Sequence, residues 1–223
     1  MGDTSWIFDL IAPDDAVRER ALRCNREAVE HATEAQHWIN WVWHMARTPV
    51  PTDPKLAAEM DQARAAHRWF TNQSIYGQLG RFCDDDPLVR ELYGPFVLLF
   101  LEWESRYPDQ WRTAGSYSPW GSKEGLLANL TRWGVPEGIR PGLRDLVIVV
   151  LRRPYRCKDW MFAPLVRRLA DDAFLVRIRE LLADPDPLTR LRAEFVLHVV
   201  ADPEIPVRRK TWVRWLAVDP QRP

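Results

Sequence analysis

The chain has 223 residues and no formal net charge, with 46% hydrophobic and 28% charged residues; this balance excludes a disordered chain, a collagen-like fibre, a coiled coil and a disulfide scaffold. No stretch approaches the roughly 18 uninterrupted apolar residues of a membrane span, since the best candidate, Pro95 to Leu101, is ended by Glu102. Met1 to Leu10 carries Asp3 and Asp9 and lacks the basic-then-apolar layout of a signal peptide, so a cytoplasmic protein without membrane association is expected.

Nearly every segment reads as helix. Asp14 and Asp15 are placed to cap a long helix over about 16–47, which Pro49 and Pro51 stop. A second helix is expected from Asp53-Pro54 to about Phe82. A third should start at Asp84, Asp85, Asp86 and Pro87 and run to Trp111, with a kink near Gly94-Pro95. These three long helices make a plausible antiparallel bundle. Residues 113–122 are rich in Gly and Ser and read as a loop and domain boundary. Shorter helices are then expected near 123–133, 142–152, 159–170, 173–183, 187–200 and 205–217. Leu146 to Leu151 is β-branched enough for a strand but has no second strand to pair with, and is read as a buried helix.

Charge is unevenly spread. Residues 1–111 hold 11 Lys/Arg against 18 Asp/Glu, net −7, while residues 112–223 hold 20 against 13, net +7. Such asymmetry fits either two halves that neutralise each other or a basic surface awaiting an acidic partner. Cys24, Cys83 and Cys157 are far apart and form no CxxC, so buried free thiols are expected rather than a thiolate zinc site. The twelve tryptophans, with Trp38, Trp41 and Trp43 on the first helix, supply packing area and also mark binding hot spots.

The last third repeats a phrase. Leu181-Leu-Ala-Asp-Pro-Asp-Pro-Leu-Thr-Arg190 is followed by Val199-Val-Ala-Asp-Pro-Glu-Ile-Pro-Val-Arg208, and Leu216-Ala-Val-Asp-Pro220 begins it again. Asp184, Asp202 and Asp219 are spaced by 18 and 17 residues. In each phrase an Asp can accept from the first amides of the next helix, a Pro pre-sets the turn, and an Arg one turn later can reach back. Helices this short must stack to bury their apolar faces. Through Leu182, Asp184, Pro185, Pro187, Arg190 and Ala193, then Asp202, Pro203, Val207 and Arg208, this part resembles HEAT-like helical repeats. The resemblance implies a curved stack that binds protein and, in some members, nucleic acid.

Three chemistries can be read from the side chains. On the first helix, Glu27, Glu30, His31, Glu34 and His37 share one arc, and Glu34-Ala-Gln-His37 has the Glu-x-x-His spacing used by ferritin-like di-iron bundles. This gives an alternative reading as a metal-dependent enzyme holding iron or manganese. Basic residues interleave with aromatics at Arg152, Arg153, Arg156 and Lys158 beside Tyr155 and Trp160, and at Arg208, Arg209, Lys210 and Arg214 beside Trp212 and Trp215. This gives a second alternative, a DNA- or RNA-binding protein. HEAT-like DNA glycosylases place a carboxylate within one helical turn after a tryptophan; Trp160 to Pro164 offers none, although Asp159 precedes it. No nucleophile elbow, P-loop or dinucleotide fingerprint occurs, and His198 on its apolar helix reads as a core residue.

The expected fold is therefore all-α. An N-terminal segment of three long helices, residues 1–113, and a loop, residues 114–123, precede a short HEAT-like helical-repeat array, residues 124–223, packed on that segment. The expected function is non-catalytic binding of a protein partner, as an adaptor or regulator, on a surface lined by Arg190, Arg208, Arg209, Trp212 and Trp215, with no cofactor.

Overall fold

A computed structural model describes residues 4–115 and 118–217. Residues 116–117 of the expected loop, and Asp219 and Pro220 of the third repeat phrase, lie outside the described residues. The chain is all-α: the described residues form eleven α-helices and four short 3-10 turns, with no strand.

Helix α1, Asp15–Ala46, starts at Asp14, whose side chain accepts from the Val17 amide, and stops at Arg47 in the left-handed region. Helix α2, Pro54–Gln73, is capped by Asp53 through the Lys55 and Leu56 amides. The expected single helix to Phe82 is broken here. Ser74 leaves helical geometry and caps α3, Ile75–Phe82, through the Gly77 amide. Helix α4, Pro87–Arg106, is capped by Asp86 and runs through Pro95. The chain turns at Tyr107 into α5, Pro108–Arg112, so the third expected helix is also two. Pro119 opens α6, Pro119–Trp133, which makes the connecting loop shorter than expected. Gly134, at φ 97°, ends it in a backbone region that favours glycine.

Helix α7, Arg140–Arg152, buries Leu143, Leu146, Val147, Val150 and Leu151. That spacing makes the β-branched run one face of a helix. Helices α8 (Phe162–Leu169), α9 (Asp172–Glu180), α10 (Pro187–Ala201) and α11 (Arg209–Leu216) complete the chain. The repeat phrase acts differently from the expectation. Asp184 and Asp202 each accept from an amide two residues on, at 3.0 Å, and the cap of α10 is Asp186, which takes the Leu188 and Thr189 amides. Helix α11 starts at Arg208 with no side-chain cap.

Two packing units can be distinguished. One continuous apolar core runs from Ile7 to Trp212 and includes Phe82, Phe100, Trp103, Trp111, Phe174 and Phe195. The α1–α2 hairpin has a separate seam, in which Ala28, Val29, Ala35, Val42, Met60 and Ala63 are buried without joining that core. The three-helix bundle is thus replaced by a hairpin, α1 on α2, and a second pairing of α3 on α4. At its base α1 is tied down by Asn25, which is fully buried. Its Nδ2 donates to the Ala114 carbonyl at 2.9 Å, and its Oδ1 accepts from the Ile75 amide at 3.2 Å. Asn25→Ala leaves both backbone groups unpaired and should cost about 2 kcal/mol, a fall of roughly 4–8 °C in melting temperature by calorimetry.

Arginine accounts for much of the basic half. Helix ends leave carbonyls without partners. Arg144 Nε reaches the Leu169 carbonyl at the end of α8, at 3.0 Å, and Arg140 Nη1 the Arg168 carbonyl at 2.6 Å. Arg168 Nε reaches Thr131 near the end of α6, and Arg167 reaches Val199, Asp202 and Ile205 at and beyond the end of α10. Arg192 Nη1 closes the end of α7 at Leu151 and Arg153. Each contact puts a cation on the negative end of a helix and fastens one helix to another.

Candidate functional site

The expected basic-aromatic surface is only partly outward. Trp212 is 3% exposed and belongs to the core, with its ring 5.1 Å from Phe195 and 6.1 Å from Tyr155. Its placement on the surface is corrected accordingly: residues distant in sequence close over it. Trp215 is half-buried, stacks on His198 at 4.9 Å and donates from Nε1 to the Leu191 carbonyl at 3.0 Å. Arg190 closes its own turn through the Asp184 and Pro185 carbonyls. Arg208 and Arg209 are exposed. Burial pushes the nearby Tyr155 phenol above its ordinary range, while Arg209 opposes the rise.

Glu27, Glu30, His31, Glu34 and His37 are all exposed along one ridge of α1. At 1.5 Å rise per residue, the ridge extends about 15 Å from Glu27 to His37. His31 Nδ1 pairs with Glu34 Oε2 at 3.1 Å, and the His31 ring lies 4.8 Å from Phe70. Among the described residues, no three His, Cys, Asp or Glu side chains converge in a geometry that could hold a metal ion.

The most deeply buried charges form a cluster. Lys123 on α6 is fully buried, and its Nζ lies 2.7 Å from Asp159 Oδ1 and 3.4 Å from Glu104 Oε2. Arg153 Nη2 contacts Glu104 at 2.7 Å, and its Nη1 contacts Asp159 at 3.0 Å. Arg156 adds a contact to Glu104 Oε1 at 3.3 Å, and its amide donates to Asp159 Oδ2 at 2.6 Å. Three cations thus share two carboxylates, with the Trp120 and Phe162 rings each 5.7 Å from Lys123. This joins α4, α6 and the segment between α7 and α8. It also engages Arg153 and Arg156, half of one basic cluster, while Lys158 pairs with Glu124 at 2.6 Å.

Two surfaces remain open to ligands. At the hairpin tip Trp41, Trp43, Met45 and Val50 are 50%, 54%, 56% and 70% exposed. Near its base, the corner between α2 and α3 opposes α4 across a half-open groove of about 600 Å³. Trp69, Leu92, Tyr93 and Phe96 supply its apolar wall, and Asn72, Gln73, Gln78 and Arg81, with Thr4 and Ser5 of the N-terminal segment, its polar side. Phe8 extends the wall, with its ring 5.0 Å from Phe96. Leu88, Leu92 and Phe96 recur every four residues, a readable stripe on α4. It escapes notice because the opposite face of α4 is itself largely apolar, although Arg90 and Glu104 are buried there too. The partners of Lys123 carry no such signal, since Glu104 and Asp159 lie far from it in sequence.

Neither a family model, nor a curated protein, nor a solved structure matches this chain. No helix among the described residues is long and apolar enough to cross a membrane.

Proposed function

We propose that the protein is a non-catalytic, HEAT-like helical scaffold that captures a protein partner, and that the tip of the α1–α2 hairpin is its contact surface. One observation carries this reading: Trp41, Trp43 and Met45 are about half exposed on a hairpin whose own buried seam consists of alanines and valines with Met60. Two helices alone bury little apolar area, and exposed tryptophans of this kind act as interface anchors once a partner desolvates them. The fastening of Arg140, Arg144, Arg167, Arg168 and Arg192 to helix ends further favours apolar over basic recognition. Arg208 and Arg209 form a second, basic contact at the far end of the array.

The test is a photo-crosslinking residue in place of His44, used in the native cell, followed by affinity measurement with the protein it captures. Trp41→Gln with Trp43→Gln should weaken that affinity by about 30-fold or more, the scale of interface hot spots, with the melting temperature unchanged. With only Arg208 and Arg209 as charged contacts, the affinity should fall modestly with added salt, whereas nucleic-acid binding would fall steeply. A captured partner that binds the double variant equally well would overturn the assignment.

A further inference from the structure

We propose that the groove between the end of α2, α3 and α4 is a binding site for a small planar aromatic monocarboxylate. Three features of the groove point to this class. Its volume of about 600 Å³ lies in the range of sites for small organic ligands. Its wall offers the rings of Trp69, Tyr93 and Phe96, with Tyr93 and Phe96 6.2 Å apart, so a flat ligand gains stacking area. Its charge is single and positive: Arg81 is the one ionisable cation or acid among the described lining residues.

Arg81 makes no ion pair among the described residues; its guanidinium lies 5.7 Å from the centroid of Tyr93. Two of the three carboxylates in the adjoining run Asp84–Asp86 are engaged by backbone amides. Asp84 accepts from the Asp86 amide at 3.0 Å, and Asp86 from the Leu88 amide at 2.9 Å, both within the α3–α4 turn. An arginine without a direct ion-pair partner beside aromatic rings presents a planar fork that matches a carboxylate. The amides define the rest of the ligand. Gln78 Nε2 is committed to the Asn72 carbonyl at 2.6 Å, which leaves the Gln78 side-chain oxygen as an acceptor. The Asn72 and Gln73 side chains hold no hydrogen bond among the described residues and can serve a hydroxyl or amide substituent on the ring. A dianion would find one cation where it needs two.

The probe is 2-naphthoate, titrated calorimetrically into the full chain and followed in parallel by tryptophan fluorescence, with neutral 2-naphthamide as its isostere. For a ligand of this size, saturable binding is expected with a dissociation constant of about 1 mM or tighter. The amide should bind at least about tenfold more weakly. Arg81→Gln, at an exposed position, should keep the melting temperature, remove that tenfold preference and leave amide binding unchanged; Trp69→Ala should weaken both ligands. Equal binding of acid and amide, an unchanged preference in Arg81→Gln, or no saturation at about 10 mM, tenfold above the expected constant, would overturn the proposal. The site is independent of the hairpin tip, so Trp41→Gln with Trp43→Gln should bind naphthoate as the parent does.

Discussion

Glu104→Gln is expected to destabilise the protein by about 3–5 kcal/mol, a loss of roughly 10 °C in melting temperature. The Glu104 side chain is 1% exposed and answers Lys123, Arg153 and Arg156 at once. Without its charge, the fully buried Lys123 and the partly buried Arg153 and Arg156 are left with Asp159 alone. Removing a cation has a different consequence. Lys123→Met keeps the volume and leaves two arginines against two carboxylates, so it should cost only about 1–2 kcal/mol although Lys123 is fully buried. The double variant should then be more stable than the sum of its parts, because losing Lys123 relieves the excess of positive charge that losing Glu104 creates. Urea unfolding of the four proteins measures this. Strict additivity, or a larger loss for Lys123→Met than for Glu104→Gln, would show that charge balance does not govern the cluster.

The cluster also marks the limit of what is legible in the sequence. Helix starts are local, and Asp14, Asp53 and Asp86 cap helices where their Asp and Pro neighbours announce them. Helix α7 could be read from the lack of any second strand. Breaks at Ser74 and Tyr107 are not local events. They depend on how α3 returns against α2 and how α5 turns beneath α1, where the Arg18 guanidinium lies 3.9 Å over the Tyr107 ring and donates to Gln110 at 3.1 Å.

Side chains that act across the fold are harder still. Lys123 sits between Ser122 and Glu124 and reads as a solvated lysine, yet its partners are 19 and 36 residues away. Trp212 reads as an outward aromatic among arginines until Tyr155 and Phe195 are brought to it. Helical periodicity places Glu27, Glu30, His31, Glu34 and His37 on one face but does not supply the opposing ligands. A count of arginines, finally, does not separate a guanidinium facing water from one bound to a helix-end carbonyl. The surplus of seven positive charges in the second half is therefore a weaker sign of an acidic partner than it first appears.

Gly77→Ala should disrupt the corner that shapes the groove. Helix α3 folds back on α2 so closely that a Cβ on Gly77 would lie 2.0 Å from the Thr71 carbonyl oxygen, 2.7 Å from its carbon and 3.1 Å from the Asn72 Cα. These are backbone atoms, so no rotamer change relieves the clash. The two helices must separate, and the expected cost is about 3 kcal/mol, at the upper end for overpacking. The same contact holds Asn72, Gln73 and Gln78 on the polar side of the groove, so naphthoate affinity should fall together with stability. Gly80, one turn along α3, is the control. A Cβ there meets nothing within 4 Å, so Gly80→Ala should stabilise the helix by about 0.5–1 kcal/mol through reduced freedom of the unfolded chain. Opposite shifts in melting temperature for two Gly→Ala changes on one eight-residue helix separate close approach from helix propensity. Equal and small shifts would mean that α2 and α3 do not meet at the Thr71–Gly77 contact in solution.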